Sequence, residues 1–303
     1  MPYLKLVRYG NLLFIALCLL LIRFGFFRQF DASTALNNIQ FFLLIIAVVC
    51  IAASGYVINN ILDYEADRIN APNRLVIREK ISEKSAYNLF FALNIIGVGI
   101  GFYIANKIDA PAFSAIFILT SALLYLYATY LKHIAIAGNL VISMLVGLVV
   151  LLPVIFDLYP ELTSENIENQ RMLFNTLVYY SLYAILLNFV REVIKDQEDI
   201  NGDYKTQSNT LPLLIGQKRT NVFVFIFCLI LLVFSIIFLG EDLYHSTKAV
   251  VYALVFIIAP LLALVAGILK ANSKKDYSKF SFILKCMLFF GLLSLGFPEY
   301  LIS

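Results

Sequence analysis

The sequence predicts an all-α integral membrane bundle of about nine transmembrane helices. Hydrophobic residues make up 61% of the 303 positions and charged residues only 14%, whereas soluble domains average about 45–50% and about 25%. The apolar residues form runs of the roughly 20 residues that a helix needs to cross a bilayer. Inside lipid each backbone polar group must be satisfied within its own segment, which favours helices over open sheet.

Nine apolar runs give the predicted spans. They lie near 11–30, 39–60, 86–106, 112–131, 134–156, 172–195, 219–239, 247–270 and 280–300. No soluble domain, linker or cleavable signal is predicted, so residues 1–303 are interpreted as one transmembrane domain. The four cysteines lie within apolar runs without close pairing. They are interpreted as small buried side chains rather than as a disulfide framework or a metal site.

The basic residues predict the orientation in the membrane. Most lie on the side of the N-terminus, which carries Lys5 and Arg8, and in the connections after spans 2, 6 and 8. The opposite side carries few of them: Arg28, Lys107, Arg171 and Lys248. Because Lys and Arg accumulate in cytoplasmic loops, we expect a multi-pass protein of the cell (inner) membrane with a cytoplasmic N-terminus. The net charge of +3, without a basic stripe, argues against a nucleic-acid partner.

The connection after span 2 carries the first polar cluster. Asn59, Asp63 and Asp67 are spaced i, i+4 and i+8. At 3.6 residues per turn this spacing places all three on one face of a helix. The cluster is therefore predicted to form one polar surface at the cytoplasmic end of the second span.

The connection after span 6 carries the second cluster. Asp196, Asp199 and Asp203 are spaced i, i+3 and i+7 and also share one helical face. Gly202 is expected to mark where this helix frays or ends. Two clusters with the same geometry are thus expected at the same side of the membrane.

Ionised carboxylates near a membrane are costly unless they are paired or bound to a metal. Two facing sets of carboxylate oxygens suit Mg²⁺, which usually binds a few carboxylates together with substrate phosphates. Flanking basic side chains can then hold the remaining phosphate oxygens. These side chains are Arg68, Arg74, Lys132, Arg191, Lys195 and Lys205. The alternative interpretation is an interfacial salt-bridge network that only fixes the topology.

The two clusters resemble the two aspartate-rich motifs of the UbiA superfamily of intramembrane prenyltransferases. The first matches N-x-x-x-D-x-x-x-D and the second matches D-x-x-x-D, on the second and sixth predicted helices. The stretch LYLYATYLKHIAIAGN at 124–139 resembles the tyrosine-rich fourth helix, the following lysine and the Gly-Asn start of the fifth. The resemblance covers most of the chain.

The resemblance implies a UbiA-like bundle of nine helices around a central cavity that opens laterally to lipid. It implies an isoprenyl diphosphate donor held by Mg²⁺, loss of diphosphate, and capture of the allylic carbocation by a lipid-phase acceptor. The implied metal ligands are Asp63, Asp67, Asp196, Asp199 and Asp203. The implied catalytic residues are Asp63, Asp67, Asp199, Asp203 and Lys132. The implied substrate-binding residues are Asn59, Arg68, Arg74, Tyr127, Arg191, Lys195 and Lys205.

Tyrosines are the candidates for stabilising the carbocation. Electron-rich ring faces attract cations by about 0.5–2 kcal/mol each. The candidates are Tyr56, Tyr64, Tyr125, Tyr127 and Tyr130. An interfacial aromatic belt is the alternative interpretation, and it fits Tyr130 equally well.

The acceptor is predicted from the stretches DRINAPNR and KDQEDINGDYKTQSNTLP. They resemble the branch of the superfamily that contains digeranylgeranylglyceryl phosphate synthase-like and chlorophyll synthase-like members. A geranylgeranyl-like donor and a geranylgeranylglycerol-phosphate-type acceptor are therefore expected. An aromatic acceptor of the 4-hydroxybenzoate, quinone or tetrapyrrole type is the alternative. The loop after Arg74 departs from the family pattern, since it lacks the usual proline and has Arg78 and Glu79 where a glycine is common.

Two other classes of membrane protein fit the sequence less well. A secondary transporter usually has its binding site near the bilayer midplane on broken helices within repeats, whereas these clusters are interfacial and no repeat is evident. A CDP-alcohol phosphotransferase would need an Asp-Gly-x-x-Ala-Arg run, which the sequence lacks. Among isolated polar residues, Arg23 and Lys285 are interpreted as snorkelling to an interface. His133 is not expected to bind a metal.

Overall fold

The computed structural model describes residues 1–240 and 244–296, with the side chain of Arg74 excluded. Within these residues nine helices are long and apolar enough to cross a membrane. They are α1 (Tyr9–Phe27), α2 (Asn38–Leu62), α3 (Glu83–Lys107), α4 (Pro111–Thr129), α5 (Ala137–Glu161), α6 (Ile167–Lys205), α7 (Gln217–Phe238), α8 (Thr247–Ile268) and α9 (Lys274–Ser294). The predicted all-α membrane bundle is therefore confirmed. The last residues of the predicted ninth span, 297–300, lie outside the described part of the chain.

The helices carrying the two clusters continue beyond their apolar spans. Helix α2 ends at Leu62, and a short helix, Tyr64–Asn70, follows directly. Backbone hydrogen bonds run through the junction, because Asp63 N donates to Asn59 O and Asp67 N donates to Asp63 O, both at 2.8 Å. The residues of the first cluster thus remain on one face across the junction between the two helices. Pro72 follows this short helix and begins a 3₁₀ turn, and a residue before proline is disfavoured in helical conformation.

The prediction that α6 ends near Gly202 is wrong. The helix runs unbroken from Ile167 to Lys205. Gly202 instead allows a close approach, since a Cβ at this position would lie 2.2 Å from Asn70 Nδ2 and 2.9 Å from Ala66 O. The tertiary contact, and not the end of a helix, explains the glycine.

Two proline residues lie beside π-helical turns. Pro153 is followed by a π segment over Val154–Leu158 in α5, and the π segment Leu254–Ile258 in α8 is followed closely by Pro260. A proline lacks the backbone N–H that continues the regular hydrogen-bond ladder, so local rearrangement beside it is expected. These turns adjust the path of the helices around the cavity.

Arg23 does not snorkel to an interface, so that interpretation is wrong. Its guanidinium forms a 3.3 Å ion pair with Asp157, whose side chain is fully buried. Arg23 Nη2 donates to Leu36 O at 2.8 Å, and Leu36 N donates to Asp157 Oδ1 at 2.9 Å. Asp157 thus lies in the bundle and joins α1, α5 and the segment before α2. This cluster lies at the end of the bundle away from the two aspartate clusters.

Candidate active site

A cavity of about 580 Å³ runs into the bundle. Side chains from every spanning helix except α3 line it within the described residues. Its walls are largely aliphatic and aromatic, while the aspartates of both clusters gather at one end. An apolar chamber with a charged mouth suits a ligand that has a long hydrocarbon tail and an anionic head.

In the first cluster Asp63 is held from two sides. Asn59 Nδ2 donates to Asp63 Oδ2 at 2.6 Å, and Lys132 Nζ donates to Asp63 Oδ1 at 2.5 Å. Lys132 stands on a short 3₁₀ turn, Leu131–His133, that leads from α4 to α5. Its side chain is only 10% exposed. A partly buried ion pair with both oxygens of the carboxylate engaged fixes the position of the lysine ammonium group.

The second cluster lies on α6 and is supported from α5. Asn139 Nδ2 donates to Asp196 Oδ2 at 2.8 Å. Asp199 and Asp203 line the same cavity end as Asp196. The i, i+3, i+7 spacing therefore does place the three carboxylates on one face of the helix, as the sequence predicts.

Asn70 joins the two clusters directly. Its Nδ2 donates to the backbone oxygen of Asp199 at 2.9 Å, and Gly202 N donates to its Oδ1 at 3.0 Å. Lys274 Nζ, from the start of α9, donates to Asn70 O at 2.5 Å. Asn70 is not among the predicted site residues, although it continues the polar face of the first cluster one turn after Asp67.

The carboxylates of the two clusters are close enough to repel each other. Burial raises the pKa of Asp67 to about 6, and the negative charge of Asp63 and then that of Asp199 add to the effect. Arg8 and Lys195 oppose it. Negative charge from both motifs thus converges on one point, where a bound cation would favour the ionised aspartates.

The donor set fits Mg²⁺ shared with a phosphate ligand rather than a closed protein cage. The described residues contain no group of three or more His, Cys, Asp or Glu side chains arranged to hold a metal alone. Mg²⁺ usually binds one or two carboxylates and completes its shell with water and substrate phosphates. Asn59 Oδ1 is buried without a hydrogen-bond partner at this same end of the cavity. It can accept from a metal-bound water.

The predicted basic residues divide into two groups. Lys132, Arg191 and Lys195 line the cavity. Arg68 does not, because its side chain is 58% exposed and pairs with Glu65 at 3.5 Å. Lys205 is exposed at the end of α6 and is also absent from the lining. The predicted role of Arg74 rests on a side chain outside the described part of the protein.

Glu192 and Arg8 were not predicted as site residues. Glu192 lines the cavity and pairs with Arg191 at 2.6 Å and with Lys195 at 3.7 Å. Arg8 lies over the ring of Tyr56, 5.3 Å from its centroid, and also lines the cavity. Glu192 lies one helical turn before Asp196, so helical periodicity could have placed it on the same face as the second cluster. For Arg8 the sequence offers only its positive charge at the start of the first span.

Only part of the predicted tyrosine set lines the cavity. Tyr56 and Tyr127 do so, whereas Tyr125 and Tyr130 are exposed and Tyr64 lies under the guanidinium of Arg78 at 4.5 Å. The lining contains four further tyrosines that the sequence analysis did not single out. These are Tyr179, Tyr180, Tyr183 and Tyr252. Aromatic faces are thus supplied by α6 and α8 as well as by α2 and α4.

The atypical loop after Arg74 folds against the helix ends on the side of the aspartate clusters. Ile77 and Ile81 form an isolated bridge and pack in a buried cluster with Leu6. Arg78 adopts φ +65°, the left-handed region that favours glycine. Its side chain pairs with Glu83 at 3.1 Å and stacks on Tyr64, and these contacts offset the backbone cost.

Comparison with known proteins agrees with this geometry. The sequence pattern of the UbiA prenyltransferase family matches residues 12–291. The digeranylgeranylglyceryl phosphate synthase of Methanosphaera stadtmanae is 29% identical over 291 residues, 94% of each chain. The synthase of the same name from Thermococcus sibiricus is 36% identical over 211 residues, 68% of each chain.

A solved structure has the same fold. It is that of a UbiA homologue from Archaeoglobus fulgidus bound to GPP and Mg²⁺, and it aligns with a TM-score of 0.59 at 15% identity. The alignment covers 98% of this chain and 99% of that one. With the family pattern matched over nearly the whole bundle, the chain is an integral membrane prenyltransferase that belongs to the UbiA family.

Proposed function

We propose that this enzyme transfers a geranylgeranyl-like group from its diphosphate to the hydroxyl group of a geranylgeranylglycerol-phosphate-type lipid, with Mg²⁺ as cofactor. The main support for this proposal is the pair of hydrogen bonds made by Asn70. They hold the two aspartate motifs together at the charged end of an apolar cavity. The relatives from Methanosphaera stadtmanae and Thermococcus sibiricus carry the synthase name, and this supports the choice of acceptor.

The reaction breaks the allylic C–O bond of the donor and forms a new ether bond to the acceptor. Diphosphate leaves with the bonding electron pair, and the acceptor oxygen supplies the pair for the new C–O bond. The hydroxyl proton passes to diphosphate or to water, so no oxidant or reductant is required. When bound, Mg²⁺ would neutralise the negative charge that grows on the leaving group.

The proposed metal set is Asp63, Asp67, Asp196, Asp199 and Asp203. Their position at one end of the cavity would orient the donor with its diphosphate at the mouth and its hydrocarbon chain inside. Lys132 and Lys195 are proposed to bind the diphosphate oxygens that the metal leaves free, and Asn59 to position a water or the metal.

The walls of the cavity are proposed to protect the allylic carbocation. Tyr56 and Tyr127 line the cavity, and each ring face can stabilise a cation by about 0.5–2 kcal/mol. The aliphatic lining excludes water, which would otherwise capture the cation and give a prenyl alcohol.

We place the active site on the cytoplasmic side of the cell membrane. The excess of Lys and Arg in the connections on the N-terminal side supports this orientation. A single cysteine introduced at Lys80, in the loop beside the site, should react with a membrane-impermeant maleimide in inverted vesicles and not in right-side-out vesicles. The four native cysteines would first be replaced, since they would otherwise compete.

Product analysis tests the proposed function. Purified protein is incubated with Mg²⁺, labelled isoprenyl diphosphates of several lengths, and either prenylglycerol phosphates or 4-hydroxybenzoate. We expect a diprenylglycerol phosphate, identified by mass, together with one equivalent of diphosphate. A prenylated aromatic acid as the sole product would overturn the acceptor assignment, and no product from any donor would overturn the prenyl transfer to these acceptor classes.

A further inference from the structure

A lysine lies in the middle of the ninth span and lines the cavity. Lys285 Nζ donates to Asn11 Oδ1 at 3.0 Å, and Asn11 Nδ2 donates to the Tyr56 hydroxyl at 3.3 Å. The described residues contain no carboxylate within ion-pair distance of Lys285. A charged side chain within an apolar span is costly and marks a candidate functional residue. Its earlier interpretation as a snorkelling side chain does not account for its place in the cavity lining.

Arg191 supplies a second cation with an unused donor. Its Nη1 atom contacts Glu192 Oε1 at 2.6 Å, but its Nε atom is buried and has no hydrogen-bond partner. An unpaired buried N–H is costly, so a ligand that accepts a hydrogen bond from Arg191 Nε removes that cost. Arg191 also lines the cavity, and its charge repels that of Lys285.

In the described part of the chain, only one carboxylate forms ion pairs with the cations beside Lys285. Glu192 is shared by Arg191 and Lys195 and is also attracted by Arg8. Two of the aspartates have partners of their own, since Asp63 pairs with Lys132 and Asp196 accepts from Asn139. Among the described residues Arg191 Nε has no hydrogen-bond partner and the ammonium group of Lys285 contacts only an amide oxygen, so both can donate to an anionic ligand.

We propose that Lys285, Asn11 and Arg191 form a subsite for the phosphate monoester of the lipid acceptor. The inference rests on the proposed function and names the part of the site that selects a phosphorylated acceptor. A phosphate monoester carries about −1.5 to −2 charges and strong acceptor oxygens. Two cations match it in charge, and the amide of Asn11 holds the lysine ammonium group. Only a few bonds separate the phosphate from the reacting hydroxyl in such a lipid, so anchoring the phosphate also limits the positions of the nucleophile.

The test compares two acceptors that differ only in the phosphate: a prenylglycerol phosphate and the same prenylglycerol without it. The variants are Lys285→Met, Lys285→Arg and Asn11→Asp, and Lys275→Met is the matched control. Lys275 lies on the same helix, is exposed and does not line the cavity. Full kinetics are measured for the acceptor and for the donor in each variant.

We expect Lys285→Met to lower the preference for the phosphorylated acceptor by about tenfold or more, because a hydrogen bond to a charged group is lost. The loss should appear in the KM for the acceptor, with the KM for the donor within about twofold of wild type. Lys285→Arg should restore part of the preference. Asn11→Asp should lower it as well, because its carboxylate would pair with Lys285. Lys275→Met should behave as wild type.

A wild-type preference in Lys285→Met, or an equal loss with both acceptors, would overturn the subsite. If Lys285→Met fails to accumulate, the same measurement is made on Asn11→Asp. A wild-type preference, or an equal loss with both acceptors, would again overturn the subsite. The proposed function fails separately, when wild-type protein uses neither prenylglycerol acceptor. Vesicles loaded with inorganic phosphate provide a further arm: competition by free phosphate only against the phosphorylated acceptor supports the subsite, and equal competition against both acceptors argues against it.

Discussion

The backbone N–H of Gly202 donates a 3.0 Å hydrogen bond to the side-chain oxygen of Asn70. Gly202 lies in the second aspartate motif, and Asn70 ends the short helix that carries part of the first motif. The bond therefore joins segments that are 132 positions apart in the chain. A side chain at position 202 would meet Asn70 Nδ2 at 2.2 Å and Ala66 O at 2.9 Å. The spacing of the two aspartate clusters therefore depends on the absence of a Cβ at this one position.

Gly202→Ala should separate the two motifs and lower prenyl transfer by at least about tenfold, since small misplacements of reacting groups cost large factors in rate. Steady-state release of diphosphate measures the loss. The matched control is Gly99→Ala in α3, where a Cβ meets nothing within 4 Å. That change should preserve activity and raise stability by up to about 1 kcal/mol, because alanine is the better helix former. Equal activities of the two variants would contradict the proposed spacing role.

Lys132 is the second point at which the site can be tested. Lys132→Met removes the partner of Asp63 and the cation proposed to bind the leaving diphosphate. We expect kcat to fall by about 100-fold, as for loss of one preorganised donor. Lys132→Arg should retain part of the rate because the positive charge remains. Lys84→Met, which removes an exposed charge in the first turn of α3, is the control. A kcat within twofold of wild type in Lys132→Met would exclude a role for this lysine in the transition state.

The Arg23–Asp157 pair should govern stability rather than chemistry. Removing one member of a buried pair leaves an uncompensated charge and costs about 3–5 kcal/mol. Asp157→Asn is thus expected to lower the midpoint of thermal unfolding in detergent strongly, whereas breaking the exposed Arg68–Glu65 pair should cost about 0–1 kcal/mol. The double variant Arg23→Met/Asp157→Leu should recover part of the loss. Equal effects of the buried and the exposed pair would contradict the burial shown by the structure.

The loop after Arg74 permits a test of backbone strain. Alanine at position 78 keeps the unfavourable positive φ of Arg78 and loses its contacts, while glycine loses the contacts but removes the strain. We therefore expect the free energy of local unfolding of the loop to be about 1 kcal/mol higher in Arg78→Gly than in Arg78→Ala. Limited proteolysis of the loop in both variants measures the difference. Faster cleavage of the glycine variant would show that the left-handed conformation is not the controlling feature.

Much of the fold could be predicted because its signals are local. Each span is a continuous apolar segment, and the faces of Asp63, Asp67, Asp199 and Asp203 follow from helical periodicity alone. The end of α6 could not be placed in this way, since Gly202 in isolation favours a helix end. Only its contact with Asn70 explains why a glycine lies within an unbroken helix.

Two contacts that the sequence did not predict share one physical cause. Arg23 and Asp157 meet across the bundle from distant positions in the chain, so neither residue reveals the other in the sequence. The same holds for Lys285 and Asn11, which come from the last and first spans. Arg68 and Lys205 show the opposite error: proximity in sequence to an aspartate motif did not place their side chains in the cavity.

Both aspartate motifs are proposed to bind one Mg²⁺–isoprenyl diphosphate unit together. The most direct measurement is the affinity of purified protein for a thiolo analogue of geranylgeranyl diphosphate, which binds without reacting, titrated with and without Mg²⁺. We predict that Mg²⁺ strengthens binding to wild type, and that Asp67→Asn and Asp199→Asn each abolish this gain while the proteins remain folded. Wild-type, Mg²⁺-dependent affinity in either variant would contradict joint binding by the two motifs.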